Sequence, residues 1–177
     1  MDTNKHKFFM LQLLKDIFSD ALLSSLLAFK GGTATMFFHN LPRFSTDLDF
    51  NLLDPEKETE VYGRVRKIVL KYGSIHDEAI KHYGIIVVLD YGIGERKLKI
   101  EISNRRYDSH YEIRNYLGLQ MRVMVKEDMF ANKLCALLDR TVITSRDVFD
   151  CCFFLKERTS INKEIVESRM GMPIEEY

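Results

Sequence analysis

The apolar positions change their period along the chain, and each change marks an expected element. Between Phe8 and Leu27 they recur at helical spacing (Phe9, Leu13, Ile17, Leu22, Leu23, Leu26), which predicts one or two amphipathic helices with Ser24-Ser25 as the candidate break. Gly31-Gly32-Thr33 interrupts this pattern. A short helical run resumes from Ala34 to His39 and must end by Pro42, so the segment reads as a glycine turn feeding a helix start. At Asp47 the period falls to two. Asp47-Leu48-Asp49-Phe50-Asn51-Leu52 alternates polar and apolar between Ser45-Thr46 and Asp54-Pro55, which predicts a strand over Asp47 to Leu53 with both carboxylates on one face.

Glu56 to Tyr72 is charged and helical in character and closes at Gly73, and Ile85 to Tyr91 is a β-branched apolar run of the kind found in buried strands. After the turn Gly92-Ile93-Gly94, Leu98, Ile100 and Ile102 alternate with Lys97, Lys99, Glu101 and Ser103. This predicts a second strand, paired with the previous one as a hairpin, with Glu101 pointing away from the apolar side. Leu119 to Val125 is the last strand candidate; helices are expected over Lys126 to Asp139 and Ser145 to Lys156, and the tail from Glu157 is too polar to assign. No repeat, low-complexity tract or proline-rich linker breaks the chain. Residues 1–177 are therefore expected to form one domain, helical from about residue 126.

Composition narrows the chemistry. The 177 residues are 46% hydrophobic, enough for one proper core. Lys and Arg number 26, as do Asp and Glu, so no bulk attraction to nucleic acid or acidic membranes exists and any polyanion site must be local. Cys135, Cys151 and Cys152 fit neither a disulfide framework nor a zinc spacing, and read as buried thiols of a reducing cytoplasm. Gln12, Lys15 and Asp16 break the N-terminal apolar stretch, which excludes a signal-peptide core, and no segment reaches the roughly 20 apolar residues of a membrane-spanning helix.

Nucleotidyl transfer from a nucleoside triphosphate needs acidic oxygen ligands for Mg²⁺ and donors that hold the phosphates. Asp47 and Asp49, two apart on a strand, and Glu101, framed by Ile100 and Ile102 on another, supply the acids. Gly31 and Gly32 allow the backbone close to a phosphate, and the helix beginning near Thr33 offers free N–H groups to the same anion. Each piece alone has a plain alternative: an exposed alternating strand, an ordinary turn, or, for Ser45, a hydroxyl bonded to its own backbone. The order carries more weight, with 15 positions from Gly32 to Asp47 and the isolated acid Glu101 further on.

That order resembles the polymerase-β-like nucleotidyltransferase pattern. Phe29-Lys30-Gly31-Gly32-Thr33-Ala34 with Leu41-Pro42-Arg43-Phe44-Ser45-Thr46-Asp47-Leu48-Asp49-Phe50 resembles the opening motif of the AbiEii family, nucleotidyltransferase toxins of type IV toxin–antitoxin and abortive-infection systems. Lys126-Glu127-Asp128, Lys133 to Leu137, Arg140 and Arg146-Asp147-Val148-Phe149-Asp150 are similar to its later lysine and Arg-Asp-x-x-Asp motifs. The resemblance implies an α/β (α+β) polymerase-β-like fold, a mixed and mainly antiparallel sheet flanked by helices. It further implies Mg²⁺ held by Asp47, Asp49 and Glu101, an NTP donor, an RNA acceptor of which tRNA is the best-attested class, and a cognate antitoxin. Lys133 and Asp147 join the catalytic set, and Gly31, Gly32, Thr33, Arg43, Ser45 and Lys133 the nucleotide-binding one, with lesser expectations for Lys30, Arg146 and Asp150.

Other readings stay open at this level. The same chemistry serves a protein or small-molecule hydroxyl acceptor, and an idle site would leave a nucleotide-binding or antitoxin-partner module. Asp90 with Glu95-Arg96-Lys97 loosely matches the acid and Glu-x-Lys arrangement of restriction-type nucleases. Arg105, Arg106, Tyr107, His110, Tyr111 and Arg114 form a basic and aromatic stretch suited to stacking on RNA or to a plain exposed loop.

Overall fold

The computed structural model describes residues 2–139 and 141–176. Its first helix, α1 (Thr3–Ser19), begins where the Asp2 carboxylate accepts from the N–H groups of Asn4 and Lys5. The break from α1 to α2 (Ala21–Leu26) falls at Asp20, not at Ser24-Ser25. Asp20 leaves the helical conformation and its carboxylate accepts from Leu22 and Leu23 N–H at 2.9 and 3.0 Å. Ser24 and Ser25 stay helical, their hydroxyls folded back onto the carbonyls of Ala21 and Leu22 one turn earlier.

Strand β1 (Leu27–Lys30) follows directly and runs into α3 (Gly31–His39), which closes at Asn40 in the left-handed conformation. Then come β2 (Leu48–Leu52), α4 (Glu58–Val69), β3 (Ser74–Lys81), β4 (Gly84–Asp90), β5 (Leu98–Ser103), β6 (Tyr111–Tyr116) and β7 (Leu119–Met124). The helices α5 (Lys126–Asp139) and α6 (Ser145–Lys156) take the bounds the periodicity predicts, and α7 (Lys163–Met170) lies in the tail that it left unassigned. The strands form one sheet in the order β3-β4-β5-β2-β1-β7-β6. Pairs β1–β2, β3–β4, β4–β5 and β6–β7 are antiparallel, while β1–β7 and β2–β5 are parallel, the expected mixed and mainly antiparallel sheet.

Alternation along β2 does what the sequence predicts. Leu48, Phe50 and Leu52 are buried, with Phe50 against Phe29 and against Phe18 of α1, so Asp49 turns to the opposite face. Along β5, Leu98, Ile100 and Ile102 are likewise buried and Lys99 and Glu101 face outward from that core. Met10, Leu13, Leu14 and Ile17 complete the apolar layer from α1. A smaller cluster joins Ala131 and Cys135 of α5 to Ile165 and Val166 of α7. Cys135 and Cys151 are buried as expected, but Cys152 is exposed on α6. Among the described residues no helix is long and apolar enough to cross a membrane.

Because Phe50 is fully buried between the sheet and α1, Phe50→Ala should lower unfolding free energy by about 3–5 kcal/mol. The midpoint of a urea unfolding curve, with its slope unchanged, reads this directly.

Candidate active site

Three adjacent strands bring the charged residues of the cleft into one row. Lys30, the last residue of β1, pairs with Asp49 of β2, and Asp49 pairs in turn with Glu101 of β5. Asp47 precedes β2, and its carbonyl accepts the hydroxyl of Thr33 at 2.5 Å. That bond fixes the lead-in of the acidic strand to the first turn of α3. Thr33 itself is fully buried, so it acts as a tie to Asp47, and its hydroxyl is not offered to the cleft as a nucleotide-binding group.

Gly31 has φ +78°, and a Cβ there would lie 2.2 Å from Asp49 Oδ2. A Cβ on Gly32 would lie 2.8 Å from Ser45 Oγ and 3.0 Å from Arg43 Nη2. Gly31 is thus required by its positive φ and close approach, whereas a side chain at residue 32 would push Ser45 and Arg43 away from the helix start that they lie against. The N-cap position, Lys30, makes no side-chain cap bond, and Gly31 and Gly32 of the first turn of α3 line the cleft.

Charge is tightly coupled within the row. Burial, then repulsion from Glu101, pushes Asp49 up to about 6 against the pull of Lys99 and Lys30. Burial pushes Lys30 down to about 8, opposed by Asp49 and Glu101. Lys99 Nζ stands 2.8 Å from Glu101 Oε2 and 3.9 Å from Asp47 Oδ2. Burial would raise Glu101, but the Lys99 hydrogen bond and charge outweigh it and hold the carboxyl below its ordinary value. Lys99 was not singled out from the sequence, although it shares the outward face of β5 with Glu101.

Two adjoining cavities of about 180 and about 200 Å³ share Asp49, Glu101, Lys133 and Asp147 in their walls. The second is strongly polar, and Gly32, Arg43, Ser45, Asp47, Lys99 and Arg146 complete it. The first is bounded by Met124, Met129 and Ala136, with Asn132 and Arg169 on its rim. Arg169 comes from α7 and donates to Asn132 Oδ1 and Asp139 Oδ2, both at 3.0 Å. Its place at the cleft depends on how α7 packs on α5, which no local pattern encodes.

Asp150 is almost fully buried and receives Arg43 Nε and Nη2 at 2.6 and 2.5 Å and Lys133 Nζ at 2.8 Å. Burial would raise this carboxyl, but the two cations hold it below its usual range. Asp150 therefore lies beneath the site and positions Arg43 and Lys133. Asp147 lines both cavities and accepts from the Thr144 hydroxyl at 2.6 Å. Asp128 lies elsewhere: it is buried and receives the His110 N–H and Asn162 Nδ2, joining the loop before β6 to α5 and α7. Arg140 lies outside the described residues.

Hard oxygen donors beside an ammonium suit a divalent cation such as Mg²⁺, and Lys99 stands in for positive charge between Asp47 and Glu101. The acids share a cleft wall without forming a closed ligand set: among the described residues no three His, Cys, Asp or Glu side chains are gathered tightly enough to hold a metal.

The nuclease arrangement does not assemble: Asp90 pairs with Lys97, whereas Glu95 turns to Lys5 and the Asp2 N–H. The basic and aromatic stretch is also divided. Tyr111 accepts from Asn51 at 2.8 Å, His110 is bound to Asp128, and Arg114 lies near Phe38, while Arg105, Arg106 and Tyr107 border a separate surface hollow.

Residues 12–171 match the family described as Nucleotidyl transferase AbiEii toxin, Type IV TA system. Among solved structures, JHP933 from Helicobacter pylori is 28% identical with a TM-score of 0.61, the match covering 94% of this chain and 72% of that one. MenT4, a nucleotidyltransferase toxin from Mycobacterium tuberculosis H37Rv, is 21% identical with a TM-score of 0.68, over 94% of this chain and 62% of its own. ANT(2″)-Ia in complex with adenylyl-2″-tobramycin is 17% identical with a TM-score of 0.56, over 92% and 95%. No curated protein matches the chain.

Asp150→Asn should destabilise the protein by about 3–5 kcal/mol at pH 7, because two cations lose their buried counter-charge. The carboxyl is depressed in the folded state, so its stabilisation is present above the unfolded value near 3.8 and is lost as pH falls through the folded one. The gap between wild type and variant in urea unfolding should therefore be full at pH 6–7 and close progressively below about pH 4. Gly31→Ala should displace Asp49, and calorimetry with NTP and Mg²⁺ should show binding weakened by about tenfold or more.

Proposed function

The chain belongs to the AbiEii family of nucleotidyltransferase toxins of type IV toxin–antitoxin systems, and on that premise we propose that it transfers a nucleotide from an NTP to an RNA acceptor, most plainly tRNA, with Mg²⁺. The observation that carries this reading is the row Lys30, Asp49, Glu101 across three strands, with Asp47 two residues upstream and the open start of α3 beside it. A core shared by sheet and helices supports reading residues 1–177 as one nucleotidyltransferase domain, helical from about residue 126. The family also supports action as a toxin in the cytoplasm, restrained by a cognate antitoxin protein.

Asp47 and Asp49 would hold the metal, with Glu101, the partner of Asp49 across β2 and β5, beside them. When bound, Mg²⁺ supplies Lewis-acid charge at the α-phosphate and orients the triphosphate. The chain's own groups do the rest. The first-turn N–H groups of α3, with Gly31 and Gly32 giving close access, receive phosphate oxygens, and Ser45 adds a hydroxyl donor. Arg43 and Lys133, aimed from Asp150, neutralise the β- and γ-phosphates, which leave as pyrophosphate. Glu101, the most open of the three acids, positions the acceptor hydroxyl and takes its proton as the oxygen attacks the α-phosphorus in line. Asp147, across the cleft from the strand row, orients the groups around Lys133.

Incubation with tRNA, labelled NTP and Mg²⁺ should give labelled tRNA, and Asp47→Ala or Asp49→Ala should reduce incorporation by about 100-fold or more with unfolding behaviour retained. Undiminished activity in both variants would remove the mechanism. Labelling of a protein or small-molecule hydroxyl in place of RNA would transfer the same chemistry to that acceptor. NTP binding without transfer to any acceptor would leave a binding module.

A further inference from the structure

Glu101 has a second neighbourhood on the side away from the glycine turn. A hollow at the β3–β4 turn, walled by Lys81, His82, Tyr83 and Gly84 and floored by Ile85, Ile86 and Ile102, also includes Glu101. It adjoins a wider surface cavity of about 560 Å³ bordered by His82, Tyr83 and the segment Asn104 to Tyr107 beyond β5. The two segments are tied together: Asn104 N–H donates to the Tyr83 carbonyl at 3.2 Å, and its side-chain amide donates to the His82 carbonyl and to Glu58. Tyr83 is 56% exposed, and the Arg105 guanidinium lies 4.0 Å from the centre of its ring. Lys81 and Arg106 add exposed positive charge at the rim.

An open aromatic ring with a guanidinium already stacked on it offers a flat face to one more π-system, and cations around it suit a phosphate backbone. A protein partner would favour a charge-depleted apolar centre, whereas here Ile85 and Ile102 are buried and the accessible surface is ringed by Lys81, Arg105 and Arg106. Bases within a duplex are already stacked on each other, so the ligand that uses such a face is a single strand with splayed bases. The position also fits the reaction. Residue 104, bonded to Tyr83, is three positions along from Glu101, about 10 Å at roughly 3.3 Å per residue. Arg105 is close enough to act on the charge of Glu101.

Resting on the RNA-acceptor reading of the active site, we propose that this strip is the acceptor track. It seats the single-stranded 3′ end of the RNA, one base stacking on Arg105 and Tyr83, the backbone following Lys81 and Arg106, and the terminal hydroxyl passing to Glu101. No bond is made or broken there; the strip supplies binding and direction only.

The test uses the full chain without divalent metal, so that no transfer occurs. Fluorescence anisotropy is recorded with a labelled single-stranded RNA of about 12 nucleotides, and with tRNA as competitor. Tyr83→Ala combined with Arg105→Ala should weaken binding by about tenfold or more, while Tyr83→Phe, which keeps the ring, binds as wild type. NTP affinity with Mg²⁺, measured separately by calorimetry, should stay unchanged in the double variant. If that affinity falls as well, the RNA comparison passes to the milder Arg105→Gln, which is expected to weaken RNA binding on its own. Wild-type RNA affinity in variants with intact NTP binding would overturn the track and leave the RNA reading of the active site standing. Absence of RNA binding by the unsubstituted chain, to oligonucleotide and tRNA alike, would overturn both.

Discussion

The Asp49 carboxylate occupies the space that a Cβ at residue 31 would need, and much of the cleft follows from this contact. A residue with φ +78° and no side chain lets β1 turn into α3 while its last residue, Lys30, is still paired with Asp49. The helix start is thereby pressed onto the acidic strand, and Thr33 seals the junction from below through the Asp47 carbonyl. Donors for an anion and acceptors for a cation end up a few ångströms apart, which neither the glycines nor the acids would achieve alone.

The energetic cost of this arrangement is visible in the charges. Carboxyls and ammonium groups crowd the row, and the cost falls on its two most buried members: Asp49 is raised and Lys30 is lowered, whereas Lys99 and Glu101 stabilise each other's charge. A chain with zero net charge thus concentrates strong local fields of both signs in one cleft. Such perturbation is common where groups are arranged for chemistry rather than for stability.

Much of this was legible from the residues. The alternation around Asp49 and Glu101 gave the correct faces because each strand has one buried side, and the helices over Lys126 to Asp139 and Ser145 to Lys156 kept their expected bounds. The strands β3 and β6 are hard to read because both are sheet edges: the polar run His76-Asp77-Glu78 occupies both faces of β3, and the alternation of β6 lasts only from Tyr111 to Arg114 before Asn115 and Tyr116 reverse it. Four-residue β1 is too short to show a period. The helix α7 has cap signals within its polar sequence, Asn162 at its start and Gly171 in the left-handed conformation after its end. Charge alone could not say that Asp150 would lie underneath, holding Arg43 and Lys133, since their meeting depends on how α6 packs. For the same reason the basic run from Arg105 to Arg114 looked like one surface and proved to be several.

The bidentate clasp of Arg43 by Asp150 spans 107 positions of sequence. Cutting the chain before α6 would therefore do more than shorten it: two cations on the wall of the polar cavity would lose their shared anchor at once. The segment that looks like an appendage in the linear order is, mechanically, the back wall of the chamber.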